Sequence, residues 1–137
     1  MAADSMPLTL ILPSDLRLLP VARAFIEAAC QAGGLDKAVT HAVVLASDEA
    51  TNNVIRHAHN NDSGLTVRIE CVLGADHIEV RLLDEGEPFD LSAVPPLDPG
   101  ELRIGGRGVY LMRALMDEVD CQPRGQRGNV LRLIKRW

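Results

Sequence analysis

Residues 48–60 read DEATNNVIRHAHN and place three polar side chains, Glu49, Asn53 and His57, at a spacing of four residues. In an α-helix, residues four apart lie one above another on a single face. An apolar series beside them predicts that this helix also packs on a core: Val39, Val43, Ala46, Ala50 and Val54. A carboxylate and an amide oxygen are ligands that suit Mg²⁺, which usually reaches a protein together with a nucleotide. In isolation, such a pattern is more often a solvated helix face.

The composition is that of one ordinary globular domain. The chain has 137 residues, of which 47% are hydrophobic and 24% charged, enough for a single buried core. Aromatic residues make up 3% and the net charge is −5, so direct nucleic-acid binding is not expected. The three cysteines lack a C-x-x-C spacing, which favours reduced thiols over a disulfide framework or a zinc site. The apolar run at 8–12 is too short for a signal peptide or a membrane span, which predicts a cytoplasmic protein without membrane contact.

Periodicity and turn residues predict the order β-α-α-β-β-loop-α-β-β. The predicted strands cover 8–12, 65–73, 77–83, 118–122 and 129–135, and the predicted helices cover 16–31, 36–59 and 109–116. This order implies an α/β two-layer sandwich, with a mixed, mostly antiparallel sheet and about three helices on one face. Between 84 and 108 the periodicity disappears and prolines and glycines accumulate, which predicts a functional or mobile loop.

A second polar motif, Asp84-Glu85-Gly86, follows the third predicted strand. An aspartate just past a strand lies at the sheet edge, where its carboxylate can accept a hydrogen bond from an exocyclic amine. Gly86 has no Cβ, so a flat ligand can lie close to the backbone there. Taken alone, D-x-G is an ordinary turn signature.

Glycines open the last predicted helix in the run Ile104 to Met112, IGGRGVYLM. The free backbone N–H groups at such a helix start bind phosphate well. The run lacks the Gly-Lys-Ser/Thr of a P-loop and the last glycine of G-x-G-x-x-G, which excludes two familiar phosphate motifs. Taken alone, a flexible hinge before a helix explains these glycines equally well.

In this order and spacing, the three motifs resemble the N, G1 and G2 boxes of the GHKL ATPases, the superfamily of DNA gyrase, Hsp90, histidine kinases and MutL. Within it the chain is most similar to the anti-sigma-factor serine/threonine kinases, above all over 48–58 and 106–117. The resemblance implies the Bergerat ATP-binding fold in a single domain, 1–137, with a lid loop over about 86–108. One departure is Pro88, which stands where the fuller pattern D-x-G-x-G has its second glycine.

The resemblance also assigns roles to individual residues. Asn53 would bind the Mg²⁺ that bridges the phosphates of ATP, and Glu49 would be the general base for the incoming hydroxyl. Asp84 would accept a hydrogen bond from the adenine amino group, with Asn129 as a further candidate beside the base. The remaining nucleotide-binding residues that it implies are His57, Gly86, Gly106, Arg107, Gly108 and Val109.

The function that the resemblance implies is an ATP-dependent serine/threonine protein kinase acting as an anti-sigma factor in partner switching. Its partners would be a sigma factor and, as phosphorylation substrate, a STAS-type anti-sigma-factor antagonist, because no acceptor within the chain stands out. A homodimer is expected by the same analogy, and the first strand and first helix are the expected place of a homodimer or sigma-factor contact. Two alternatives stay open: a catalytically weak ATP-binding module of this fold, and the stand-alone ATP-binding domain of a histidine kinase.

Overall fold

A computed structural model describes residues 7–88 and 107–137. These residues form one five-stranded sheet and three α-helices. The strands are β1 (Leu8–Pro13), β2 (Thr66–Leu73), β3 (His77–Leu83), β4 (Glu118–Pro123) and β5 (Asn129–Arg136). The helices are α1 (Leu19–Ala32), α2 (Lys37–Asn53) and α3 (Arg107–Leu115). The strand order across the sheet is β1-β2-β3-β5-β4.

All four strand pairings among the described residues are antiparallel. Two helices stand between β1 and β2, so the chain returns to the sheet in the opposite direction. β3 and β4 are joined through α3 and run the same way, but β5 lies between them. The predicted two-layer sandwich is confirmed, and its sheet is antiparallel rather than mixed because the two strands that share a direction are not neighbours.

The core lies between the helices and one face of the sheet. Alternate residues of the three central strands point to this side, as the period of two in a strand requires. The buried strand residues are Val67, Ile69, Cys71, Ile78, Val80, Leu82, Leu131 and Leu133. They join one contiguous cluster with residues of all three helices, including Ala22 and Ile26 of α1, Val43 and Ala46 of α2, and Val109 and Met112 of α3.

The opposite face of the sheet carries ion pairs that connect neighbouring strands. Arg81 of β3 pairs with Glu79 of the same strand and lies 3.6 Å from Glu70 of β2. Arg132 of β5 lies 3.4 Å from Glu79 and 3.1 Å from Asp120 of β4. Among the described residues the helices therefore cover one face alone, as predicted.

The first helix begins later than its apolar pattern predicts. Residues Leu16–Leu18 form a short 3₁₀ turn, and the Asp15 side chain caps its start by accepting a hydrogen bond from Arg17 N. α1 then starts at Leu19 with Pro20 in its first turn. Proline lacks the N–H that a helix interior needs but fits the first turn, where that N–H has no helical partner.

The second helix changes its geometry at the end of the polar motif. It begins at the N-cap Asp36, whose Oδ1 accepts from Val39 N at 2.8 Å. It ends at Asn53, and residues Val54–Ala58 form a π turn closed by a bond of 2.8 Å from His59 N to Val54 O. The single helix predicted over 36–59 is therefore wrong in its last turn. Such wide turns are frequent at functional sites.

Two of the three cysteines are reduced thiols of the core, as predicted. Cys30 and Cys71 are fully buried. Burial raises the pKa of Cys30 to about 11 and that of Cys71 to about 12, so both stay protonated and unreactive near neutral pH. In the described part of the chain, no helix has the length and apolarity that crossing a membrane requires.

Candidate functional site

Two of the three sequence motifs meet where α3 crosses α2. Glu49 and Asn53 lie on α2 with partly buried side chains, and Gly108 lies directly above them in the first turn of α3. A Cβ added at Gly108 would stand 2.8 Å from Asn53 Nδ2 and 3.1 Å from Glu49 Oε2. A larger residue would displace the ends of both side chains, so the glycine lets α3 approach α2 without moving them. We call Glu49, Asn53 and Gly108 the helical patch.

The other residues predicted around this patch have different surroundings. Val109 is 8% exposed and packs in the core, so it anchors α3. His57 lies in the π turn with an exposed side chain. Arg107 is the first residue of α3, but its side chain is outside the described structure. Gly106 and most of the predicted lid also lie outside the described residues.

Asp84 lies at the end of β3 and is 4% exposed. Its Oδ1 accepts three hydrogen bonds, from Gly86 N at 2.9 Å, Asn129 N at 3.1 Å and Asn129 Nδ2 at 3.2 Å. Its backbone N–H also donates to Asn129 O at 2.9 Å. The carboxylate is therefore fixed between the end of β3 and the start of β5, with Asn129 beside it.

Gly86 is a point of close approach, but its neighbour is the protein itself. A Cβ at Gly86 would stand 2.5 Å from the carbonyl oxygen of Ala58 and 2.8 Å from its Cβ. The lack of a side chain lets the loop after β3 pack on the π turn. In this structure the glycine is explained by that contact, whereas the sequence argument attributed it to a flat ligand.

The turn between β4 and β5 holds the same loop from the other side. Gly128 has a φ of +91°, and a Cβ added there would collide with the carbonyl oxygen of Asp84. The N–H of Gly128 donates to Gly86 O at 2.7 Å. Arg124 Nη1 donates to Asp84 O at 2.9 Å, and Arg127 Nε donates to Glu85 O at 2.8 Å. The loop is thus bound by backbone and arginine donors along its length.

One residue of this region, His59, is not singled out by any pattern in the sequence. It is 2% exposed, its Nδ1 lies 2.8 Å from Ser14 Oγ, and its Nε2 accepts from Glu85 N at 2.8 Å. Because a backbone N–H can only donate, Nε2 carries no proton, and Nδ1–H donates to Ser14. We call Asp84, Gly86, Asn129 and His59 the loop cluster. In the sequence, His59 is visible only as a second histidine two residues after His57, and it belongs to no helical or strand periodicity.

The helical patch has donor atoms that suit a metal ion bound together with a phosphate-containing ligand. Among the described residues, no three His, Cys, Asp or Glu side chains converge as a metal site. Mg²⁺ does not need such a set, because it commonly takes one or two protein oxygens and completes its shell with phosphate and water. The amide oxygen of Asn53, with the Glu49 carboxylate one turn away, is a donor set of that kind.

Comparison with known proteins identifies the family. Residues 12–135 match the histidine kinase-like ATPase domain. The chain belongs to this family. It is 30% identical over 120 residues to the serine-protein kinase RsbW of Listeria monocytogenes, spanning 82% of this chain and 76% of that protein. It is 32% identical over 115 residues to the serine-protein kinase RsbW of Oceanobacillus iheyensis, spanning 78% and 73%.

A solved structure supports the fold of this histidine kinase-like ATPase domain. The crystal structure of the RsbU and RsbW domains of a Mycobacterium tuberculosis protein matches with a TM-score of 0.64 and 18% identity, over 96% of this chain and 32% of that one. This structure confirms the predicted two-layer fold. The family match and the Listeria and Oceanobacillus relatives confirm the predicted resemblance to the GHKL serine kinases.

Proposed function

We propose that this chain is an ATP-dependent protein serine/threonine kinase that binds its nucleotide between the helical patch and the loop cluster. The observation that carries the proposal is the position of Gly108, above Glu49 and Asn53. A carboxylate, an amide and the first turn of a helix meet there, because the glycine brings the α3 backbone close to α2. This is the combination that a triphosphate and its acceptor require.

The loop cluster suits the base of the nucleotide. Asp84 is a buried acceptor whose Oδ1 is occupied by three N–H groups, and we assign its carboxylate to the amino group of adenine. Because Asn129 and Gly86 fix the carboxylate beforehand, binding need not order it. The backbone N–H groups of the first turn of α3 are the chain's own donors for the phosphates.

The helical patch suits the transfer step. Phosphoryl transfer needs the donor and acceptor held in line and the charge of the phosphates neutralised. When bound, Mg²⁺ on Asn53 would supply that charge. Glu49 lies one turn from Asn53, and we assign it to orient the acceptor hydroxyl and accept its proton. Arg107 and His57 are further candidates for the nucleotide, on sequence grounds.

A second protein is proposed as the substrate. The Listeria and Oceanobacillus relatives are named serine-protein kinases, which supports a serine or threonine acceptor. We infer that the acceptor is a STAS-type anti-sigma-factor antagonist, that a sigma factor is the alternative partner, and that phosphorylation of the antagonist favours the sigma-bound state. Such a cycle places the protein in the cytoplasm.

A homodimer through β1 and α1 is part of the proposal. Among the described strands β1 lies at the edge of the sheet, and an exposed strand edge is a ready site for association. Leu8 and Ile11 of β1 are 41% and 59% exposed, and Val21 of α1 is 45% exposed. These apolar side chains support self-association there, which sedimentation of the protein and of an Ile11→Asp variant would test.

The kinase proposal is tested with purified components. The chain is incubated with Mg²⁺, γ-labelled ATP and a STAS-domain protein encoded in the same genome, and the phosphosite is mapped by mass spectrometry. We expect acid-stable phosphoserine or phosphothreonine on the STAS protein, and none when its acceptor is replaced by alanine or when EDTA is present. Acid-labile phosphohistidine would instead indicate the ATP-binding domain of a histidine kinase. Nucleotide binding without transfer would indicate a catalytically weak module.

A further inference from the structure

His59 is a buried titratable group to which the proposed mechanism gives no task. Its ring connects three separate parts of the chain: Ser14 after β1, its own position after the π turn, and Glu85 in the loop after β3. Ser14 is itself held by a bond of 2.9 Å from its N–H to Leu65 O. The ring is thus fixed at one end by Ser14 and supports the loop at the other.

The supported N–H is adjacent to the proposed base-binding group. Glu85 lies between Asp84 and Gly86, whose N–H donates to Asp84 Oδ1 at 2.9 Å. Two successive N–H groups of this loop are therefore satisfied inside the protein, one by His59 and one by Asp84. Without the ring nitrogen, the N–H of Glu85 would lose its acceptor. The turn that orients the Asp84 carboxylate would then lose one of its fixed points.

We propose that His59 is a positioning residue for nucleotide binding, whose unprotonated Nε2 holds the Glu85 N–H and so keeps Asp84 in place for the base. The inference rests on the proposed function of Asp84 and adds to it a residue that does not touch the nucleotide. It also makes nucleotide affinity depend on the protonation of one ring. An imidazolium would turn an N–H of Nε2 toward the N–H of Glu85, and two donors cannot bond.

Burial and the charges around the ring together set the pH range in which His59 becomes protonated. Asp84 and Glu85 from the loop and Asp62 from the turn before β2 favour the imidazolium, whereas Arg127 from the β4–β5 turn opposes it. Burial is the largest influence and lowers the pKa of His59 below its ordinary value. The support is therefore complete above the ordinary histidine range and is lost as the pH falls through the lowered pKa.

The test measures Mg-ATP affinity by titration calorimetry between about pH 5 and pH 8 for the wild type and two variants. His59→Phe keeps a ring but has no acceptor. His59→Gln keeps an amide oxygen for the Glu85 N–H and does not titrate. We expect His59→Phe to bind about tenfold more weakly near neutral pH, and His59→Gln to stay within about threefold of the wild type. His41→Gln, at an exposed position of α2, is the matched control.

The pH profiles separate positioning from a general structural role. ATP's own protonation affects all the proteins alike, so the difference between the wild type and His59→Gln reports the ring. We expect the wild type to lose affinity at acid pH more steeply than His59→Gln. Amide exchange in the nucleotide-free protein should also speed up at Glu85 in His59→Phe.

Two results would overturn the inference, and they can be told apart. If the wild type binds Mg-ATP but His59→Phe binds equally well, His59 has no positioning role and the proposed function stands. If the wild type does not bind Mg-ATP near neutral pH, the proposed function falls and the inference falls with it. Should His59→Phe not fold, the comparison with His59→Gln decides, because parallel pH profiles would exclude the role of the ring.

Discussion

The helical patch and the loop cluster both belong to the proposed nucleotide site, yet they are built in opposite ways. Glu49 and Asn53 are partly exposed, and the residue above them is a glycine. In the loop cluster, Asp84, Asn129 and His59 are at most 4% exposed, and each is hydrogen-bonded inside the protein. The helical patch leaves its polar groups accessible, whereas most polar groups of the loop cluster already have hydrogen-bond partners within the protein.

The difference matches what each region is proposed to do. A group that binds a metal or moves a proton must reach the ligand and exchange partners during the reaction. A group that recognises a base works best when it is held rigid beforehand. We therefore expect substitutions of Glu49 and Asn53 to change activity with little effect on stability, and substitutions in the loop cluster to affect stability together with binding.

The largest effect is expected from Asn53→Ala. Removing the amide takes away the proposed Mg²⁺ ligand, and phosphotransfer should fall roughly a thousandfold or more. The free energy of unfolding should change by less than about 1 kcal/mol, since the side chain is partly exposed. Labelled-phosphate transfer and urea denaturation measure the two quantities.

Asn52→Ala is the matched control for this substitution. Asn52 is the neighbouring residue, and its Oδ1 accepts from Arg56 Nε at 3.0 Å. It should keep activity within a few-fold of the wild type. Equal losses in the two variants would mean that Asn53 acts through the helix and not through a metal.

A loss of about a hundredfold is expected from Glu49→Gln, because the amide cannot accept the proton of the acceptor hydroxyl. The affinity for Mg-ATP should remain close to that of the wild type, since the group acts on the acceptor. Asp48→Asn is the control: that neighbouring carboxylate pairs with Arg23 of α1 at 2.9 Å, away from the patch. A parallel fall in ATP affinity in Glu49→Gln would contradict the division of roles between Glu49 and Asn53.

The sequence predicted the helical patch better than the loop cluster, and the reason is the range of the interactions. The spacing of Glu49 and Asn53 joins residues four apart, which a helical period reveals. Asp84 was found because it follows an apolar strand. The contact of Gly108 with Glu49 and Asn53 was not predicted, because it joins distant parts of the chain.

The features of the site that the sequence does not reveal depend on contacts between distant segments. Gly86 packs on Ala58, and His59 joins Ser14 to Glu85 across 45 and 26 positions in the chain. No periodic pattern encodes such pairs. The π turn that begins at Val54 is a shift in backbone hydrogen bonding, and the apolar spacing in this stretch gives no sign of it.

A large effect on stability is expected from Gly128→Ala, and the same turn provides its control. Gly128 and Gly125 both have positive φ, +91° and +86°, so an alanine at either position should cost about 1 kcal/mol. At Gly125 nothing lies within 4 Å of the added Cβ, whereas at Gly128 the Cβ would collide with the carbonyl of Asp84. Gly128→Ala should therefore lose about 2 kcal/mol more than Gly125→Ala in urea denaturation. Equal losses would show that the close contact between Gly128 and the carbonyl of Asp84 does not contribute to stability.

The smallest effect is expected from Asp84→Asn, which separates recognition of the base from support of the loop. The amide oxygen can still accept from Gly86 N and Asn129 N, so the protein should fold. Its NH₂ group would replace an acceptor by a donor, and a donor cannot accept from the amino group of adenine. The preference for ATP over GTP should fall about tenfold, or about 1.4 kcal/mol, while in the control Asp76→Asn, at an exposed turn, it should not change. An unaltered preference in Asp84→Asn, measured by competition between the two nucleotides, would remove Asp84 from the base site and leave the loop cluster with a structural role alone.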